Sequence, residues 1–450
     1  MYPLNPEQQQ VKIQIENMQP GDRLIISGRA GSGKSFAITV ALEGKNVWFM
    51  APTHPACEVL KQQVTSKNHK VSTVYSAIGW YQERDANLGQ RDRYTRASTV
   101  KRREAKAKQL AHLCFSNIEY IVVDEFSMLN AFLFEAIEEY ATAFNVKLIY
   151  SGDPCQLPSH DGKMVVLDQD YPMVMLEGSV RFSKHSAIYA LAENLRYLID
   201  HHPDAELPCI YADREIQVVT GHDFKNQLCQ AYDRKDEFLA VTYCNKRLSK
   251  LRGAVRPAQS AELCPGDVVS SKRTDCLFKN GEQLVIHSVE KDRLEYTGLL
   301  SHGYPDGKIS ISGKRLRFES DERTAFIPDD PTKMKRHEAR VKTLCDDGEI
   351  TPDVAISIFA WLKIMNAFEL SNLSTVHKSQ GRTVDTVFID TAFVLRRPDN
   401  MTPLEHKRLL YTAITRARKQ VIFYEMQGLC ERAQDEVVVP LHRPLEPLAA

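Results

Sequence analysis

Short, unbroken apolar runs separated by helix-length stretches set the rhythm of the N-terminal third. The runs at 23–28 (RLIISG), 47–50 (VWFM), 120–123 (YIVV) and 148–150 (LIY) each end in a small or polar residue, and 35–42 reads as a helix. Continuous apolar strands alternating with helices predict an α/β fold with a parallel sheet covered on both faces. Such sheets collect ligands at the carboxyl ends of their strands. A further strand is read at 173–176 (MVML). Residues 81–108 break the rhythm. They carry Arg91, Arg93, Arg96, Lys101, Arg102, Arg103, Lys106 and Lys108, with Asp92 and Glu104 the only acids from 91 to 108. This predicts an excursion from the core, with a solvated helix face or loop as the alternative.

A second alternation begins near 214, with a strand at 238–242 (FLAVT) and a helix at 245–255. From Pro265 the texture changes. Pro265-Gly266-Asp267, Asn280-Gly281 and Asp306-Gly307 punctuate short β-type runs at 284–289 and 294–296. Turn signals at that density predict a small antiparallel barrel. Helices are read at 334–344 and 353–367. Strands follow at 370–376, 384–389 and 421–424, with a helix from Pro403. The simplest account is a second α/β core interrupted by a β-rich insertion, then an irregular tail after Gln427.

Composition changes this picture little. With 43% apolar and 26% charged residues in 450, the chain is of globular type. No run nears the ~20 apolar residues of a membrane helix, and the first residues have no secretion-signal pattern. Ten cysteines without a CxxC pair argue against a zinc site and for a reducing compartment. Lys and Arg equal Asp and Glu at 58 each, so a nucleic-acid contact would need a local groove.

Residues 28–35 (GRAGSGKS) fit GxxxxGK[ST] between a strand and a helix. In that pattern Gly28, Ala30, Gly31, Ser32 and Gly33 cradle phosphates with backbone N–H groups. Lys34 reaches the β and γ phosphates, and Ser35 coordinates Mg²⁺. Asp124 and Glu125 follow an apolar strand, where one acid holds the metal and the next polarises the attacking water. Gln156, in GDPCQLP at 152–158, is a candidate amide for sensing a γ-phosphate. Arg181 and Arg416 are candidate cations facing the nucleotide across a cleft; alone, either reads more readily as a surface ion-pair partner.

Together these residues resemble the motifs of superfamily 1 helicases, in order, to about Met426. The form HKSQG at 377–381 and the run YTAITRAR at 411–418 resemble the 5′→3′ branch, 1B, with its RecD-like and Dda-type phage members. The resemblance implies two RecA-like cores. The first would be 1–79 with 112–179, and the second 180–263 with 363–426. A pin-type insertion would span 80–111, an SH3-like insertion 264–362, and the tail 427–450. It implies Gln8 as adenine reader and Gly381 at the nucleotide. Pro52, Thr53, His54, Ser76, Thr375 and His377 would be single-strand contacts.

The implied cofactors are ATP and Mg²⁺. The implied partners are single-stranded DNA and duplex junctions, with a single-strand-binding protein or replisome components beside them. A cytoplasmic monomer with no membrane contact is expected, in the host cytoplasm if phage-encoded. The expected activity is ATP-driven 5′→3′ translocation with unwinding, in phage-type replication, recombination or repair. A protein-stripping translocase, an RNA helicase and a non-catalytic binding subunit are the alternatives. Lys34, Glu125 and Arg416 speak against the last. Tyr81 and Tyr94 both suit a pin tip, and Gly89 a hairpin turn.

Overall fold

The structure, a computed structural model, describes residues 3–64, 66–78, 80–83, 93–96, 117–159, 162–183, 185–255, 263–271, 277–278, 281–298, 307–319, 321–365 and 368–424. Six strands form an all-parallel sheet in the order His69–Thr73, Val47–Ala51, Tyr120–Val123, Lys147–Gly152, Arg23–Gly28, Met173–Leu176. Alternate strand residues feed opposite faces. Leu24, Ile26 and Phe49 pack with Val11, Ile15, Ile38 and Leu60 of the helices Pro6–Asn17, Lys34–Ala41 and His54–Gln63. Ile25, Trp48, Met50 and Ile121 pack instead with Leu133 and Ile137 of the helix Ala131–Ala143. Burial on both faces is why these strands read as continuous apolar runs.

The second sheet is also all-parallel: Leu373–Thr375, Phe238–Thr242, Val384–Ile389, Ala417–Tyr424, Ile216–Val219. The helices Ala187–His201 and Pro403–Ile414 cover one face. Gly221–Asp233 and Asn245–Val255 cover the other. With the first sheet, this makes the two RecA-like cores.

A third, antiparallel sheet runs Asp321–Pro328, Lys308–Phe318, Gln283–Thr297, Val268–Ser271, Phe368–Leu370. Phe318 and Phe368 lie on strands separated by two others, yet their rings are 5.5 Å apart, with Phe278 against both. The sheet therefore curls on itself, although the described pairings run open from edge to edge rather than closing the expected barrel. The helices Pro331–Asp346 and Pro352–Ile364 pack on its long hairpin through Met334, Val341, Ile358 and Leu362 against Ile309, Ile311 and Phe326. Both helices start where a cap precedes a proline, Asp330-Pro331 and Thr351-Pro352, which sets their first turns earlier than periodicity alone suggests.

The run read as one strand at 370–376 is two. Phe368–Leu370 is an edge strand of the antiparallel sheet and Leu373–Thr375 an edge strand of the second parallel one. The Ser371 N–H donates to Val268 O while Asn372 O accepts from the Ala240 N–H, so two residues change sheets. In the pin-type region Trp80–Glu83 pairs antiparallel with Arg93–Arg96. Gly89, Arg91, Arg102, Arg103, Lys106 and the tail after Gln427 lie outside the described residues. Among the described residues no helix is long and apolar enough to cross a membrane.

Candidate nucleotide cleft and its surroundings

The strand Arg23–Gly28 enters a loop that turns into the helix Lys34–Ala41. Gly31 and Gly33 adopt φ of +76° and +80°, the left-handed region open to glycine. Space demands glycine as well. A Cβ on Gly31 would lie 2.5 Å from the Arg181 Cβ, and one on Gly33 2.5 Å from Gln8 Nε2. Lys34 Nζ donates to the carbonyls of Gly28 at 2.8 Å and Arg29 at 3.0 Å. Burial pushes the Lys34 ammonium below its ordinary value, against the pull of Asp153, Glu125 and Asp124.

Asp124 and Glu125 stand at the carboxyl end of the strand Tyr120–Val123. Glu125 has φ +56°, a left-handed backbone uncommon for a residue with a side chain and typical of functional sites. Ser35 Oγ donates to Asp124 Oδ2 at 3.5 Å. Desolvation raises the Asp124 carboxyl, opposed by Ser151 and Lys34. Glu125 is pushed up to about 7, first by desolvation and then by the Asp124 charge. Ser35 and Asp124 offer hard oxygen ligands, and a carboxylate short of compensating charge fits a divalent cation. On that chemistry the pair suits Mg²⁺.

Gln156 is 4% exposed, and its Oε1 has no hydrogen-bond partner among the described residues. Opposite, Arg416 is buried. Its Nε donates to Thr412 O at 3.0 Å, Nη2 to Thr415 Oγ1 at 3.2 Å and Nη1 to Arg382 O at 3.3 Å. Burial lowers its value, with Glu125 opposing.

The expectation for Arg181 is corrected. It does not stand on the far wall. It follows the edge strand of the first sheet, and the Val180 N–H donates to Gly31 O at 2.8 Å, which ties the segment to the phosphate loop. From there Arg181 Nη1 crosses to Thr415 O at 2.8 Å. Desolvation lowers it to about 10, with Arg416 adding repulsion.

These side chains share one cleft of about 750 Å³, lined by residues 30–35, Asp124, Glu125, Gln156, Arg181, Gly381 and Arg416, among others. Gly28 lies behind the loop, and neither Gly28 nor Gln8 lines the cleft. Gln8 Oε1 accepts from the Asn5 N–H at 3.1 Å, and Nε2 donates to Ser32 O at 3.3 Å. The side chain is therefore a helix cap and a brace beneath the phosphate loop. It is not presented to a base.

Pro52, Thr53 and His54 follow the strand Val47–Ala51, and Ser76 lies just past its neighbour His69–Thr73. Thr53 caps the helix His54–Gln63, and Ser76 is exposed. Thr375 ends the edge strand of the second sheet beside Thr242, with His377 in the turn that follows. Thr375 is buried. The two groups meet where Gly381 packs on Ala56, an added Cβ lying 3.2 Å from the Ala56 Cβ.

Sequence reading passed over the seam between the cores. Cys155 and Leu157, beyond the first sheet's strand Lys147–Gly152, are buried in the core of the second. The Leu157 N–H donates to Thr412 Oγ1 at 3.1 Å, and Gln380 Nε2 donates to Leu157 O at 3.0 Å. Arg196, on a helix the motif search did not cover, reaches Asp153 and Tyr411. Its available signal was the period of Ile188, Leu191, Leu195 and Ile199 after the cap Ser186.

Two family models match in order. One described as an AAA domain covers residues 3–214, and the UvrD-like helicase C-terminal domain covers 370–424. A solved structure addressing DNA unwinding at forked double-stranded DNA by two coordinating Pif1 helicases superposes with TM-score 0.51 at 17% identity, over 94% of this chain and 92% of that one. At that identity the likeness is one of fold. A Bacteroides Pif1 helicase in complex with ADP-AlF3 and single-stranded DNA matches at TM-score 0.46 and 16% identity, over 94% of this chain and 92% of that one. An uncharacterized protein of Acanthamoeba polyphaga mimivirus is 26% identical over 148 residues, 29% of this chain. The match spans just over a quarter, 28%, of that relative's length.

Proposed function

We propose that the chain is a superfamily 1B DNA helicase that hydrolyses ATP to move 5′→3′ along single-stranded DNA and part the duplex ahead, a reading supported by the two family models matched in order. The observation that carries this is the cleft: Lys34, Asp124, Glu125, Gln156, Arg181 and Arg416, from two parallel-sheet cores, face one space.

In this reading Lys34 exchanges its two carbonyl partners for the β and γ phosphates. Ser35 and Asp124 would hold Mg²⁺, which supplies charge neutralisation on the phosphates. A water oxygen attacks the γ phosphorus while Glu125 takes the water's proton, and ADP departs with the bond electrons. Glu125, at the carboxyl end of its strand beside Asp124, is the carboxylate placed for that transfer. Gln156 Oε1 orients the water or the γ-phosphate, and Arg181 and Arg416 stabilise the transferred group. The strand lies over Pro52, Thr53, His54 and Ser76 on one core and Thr375 and His377 on the other, held through its phosphates without sequence preference. Gly381 joins the nucleotide wall to the Pro52–His54 side through Ala56, which gives closure of the cleft a direct route to the strand. Replication, recombination and repair are the settings such an enzyme serves.

The test is strand separation with ATP and Mg²⁺ on two duplexes, one with a 5′ and one with a 3′ single-stranded tail, beside a Lys34→Ala control. Unwinding from the 5′ tail alone, lost in the control, is expected. Unwinding from the 3′ tail alone would reverse the polarity. Strand-stimulated hydrolysis without unwinding would make the chain a translocase, and stimulation by RNA alone would change the track.

A further inference from the structure

Arg196 is 8% exposed and carries its charge into the seam between the two cores. Its Nη1 donates to Asp153 Oδ1 at 2.7 Å and to the Tyr411 hydroxyl at 3.1 Å. The Tyr411 hydroxyl in turn donates to Asp153 Oδ2 at 2.6 Å. Burial opposes the Arg196 charge, but Asp153 more than offsets it and holds the guanidinium firmly cationic. Burial, then Asp153, pushes the Tyr411 hydroxyl well up, so it stays a neutral donor. Arg196 Nη1, both Asp153 carboxylate oxygens and the Tyr411 hydroxyl are all bonded within the triangle.

The triangle touches both walls of the cleft. Asp153 Oδ1 also accepts from the Cys155 N–H at 3.0 Å, and the Gln156 N–H donates to Asp153 O at 3.2 Å. The turn presenting Gln156 is thus wound around the Asp153 carboxylate. Tyr411 lies on the helix Pro403–Ile414, whose next residues lead to Arg416, and Arg416 Nε is bonded to Thr412 O. A buried ion pair is weak evidence for stability, because apolar side chains of similar volume often serve as well. What it supplies that they do not is direction, a fixed register between the groups it joins.

We propose that Arg196 is a positioning residue for hydrolysis. Through Asp153 it fixes the Gln156 amide, and through Tyr411 it fixes the helix that delivers Arg416. One buried network thereby sets the γ-phosphate-facing groups of both walls. The inference rests on the reading of the cleft as an ATP site and adds to it a residue outside every motif of the sequence analysis.

A double-mutant cycle tests it in the full chain, with strand-stimulated ATP hydrolysis and thermal melting as readouts. Arg196→Met is expected to lower kcat by about 10²-fold, the scale of a small misplacement of reacting groups, with KM for ATP within about threefold. In a Gln156→Ala background the same change should cost less than about a tenth as much, because residues acting as a unit are not additive. Tyr411→Phe, which removes one oxygen, should lower kcat about tenfold and keep the melting temperature. A folded Arg196→Met with kcat within about threefold of wild type overturns the proposal. So does a full, independent cost in the Gln156→Ala background, which marks a merely structural residue. If Arg196→Met does not fold, Tyr411→Phe carries the same cycle to the same two outcomes. A wild-type chain that hydrolyses no ATP overturns the ATP-site reading itself; active wild type with unaffected variants overturns this inference alone.

Discussion

Glu125→Gln should make the chain more stable and inactive, and the gain should appear only as the pH rises. The ordinary value of a glutamate is 4.5 and Glu125 stands at about 7, raised by desolvation and by the Asp124 charge. That difference corresponds to about 3 kcal/mol in favour of the protonated side chain, and about 2 kcal/mol once water reaching the cleft is allowed for. The folded chain holds this proton more tightly than the unfolded chain does. Ionising the group therefore costs stability: nothing below 4.5, increasingly between 4.5 and 7, and the full amount above 7. Glutamine has the same size and cannot ionise. The assay is urea unfolding of both proteins without nucleotide or divalent cation at pH 5 and pH 8. The variant should gain about 2–3 kcal/mol at pH 8 and under about 1 kcal/mol at pH 5, while its hydrolysis falls by about 10² or more. An equal gain at both pH values, or none at pH 8, would refute the placement of Glu125 as a desolvated carboxyl beside a second charge.

Two further outcomes follow from other parts of the chain. Gln8→Ala removes the brace under Ser32 and the cap on Asn5, so KM should rise for ATP, GTP, CTP and UTP alike, by about tenfold for a lost buried hydrogen bond. A loss confined to ATP would restore Gln8 as an adenine reader. Neutralising Arg102, Arg103 and Lys106 together should flatten the dependence of DNA affinity on salt, by about one power of salt concentration per lost phosphate contact, and leave basal hydrolysis intact. An unchanged slope in a filter-binding titration would remove that segment from the DNA path.

What was legible in the sequence is what lies within a few consecutive residues. The phosphate loop is one strand–loop–helix passage, and Asp124-Glu125 directly follows a strand buried on both faces. The apolar runs announced both parallel sheets, because burial on two faces leaves no polar alternation to confuse the reading. Arg196 was hidden for the opposite reason. Its role exists only where segments 43 and 215 positions away converge, and an arginine on an amphipathic helix otherwise reads as solvated. Gln8 was legible as a residue near the nucleotide, but which way its amide faces depends on Ser32, which local pattern does not encode. The change of sheet at Ser371-Asn372 left no mark because both strands are buried there and neither turn residue is a glycine or proline. Arg181 was assigned to the far wall because the expected second core begins at residue 180, and the Val180–Gly31 bond that ties this segment back to the phosphate loop is a contact local pattern does not encode.

The cleft's charges share one predicament. Desolvation lowers Lys34, Arg181 and Arg416 and raises Asp124 and Glu125, so burial works against the charged form on both sides. Mutual pairing relieves this only in part. Lys34 and Arg181 turn to backbone carbonyls, and Gln156 Oε1 has no partner among the described residues. In the Asp153–Arg196–Tyr411 triangle beside them the charges are paired with partners built into the chain. The contrast identifies what the cleft is shaped to receive. A ligand bearing negative charge toward the loop and the arginines, with positive charge toward Asp124, would supply both missing partners at once, and the triphosphate and divalent cation proposed above have that form. The burial that makes these groups costly to the protein alone strengthens each contact to such a ligand, since few waters remain to compete. Loss of the γ-phosphate removes the groups that Arg181, Arg416 and Gln156 need while leaving the Arg196 network untouched. On the proposed reading, hydrolysis would therefore loosen the cleft without unseating the seam.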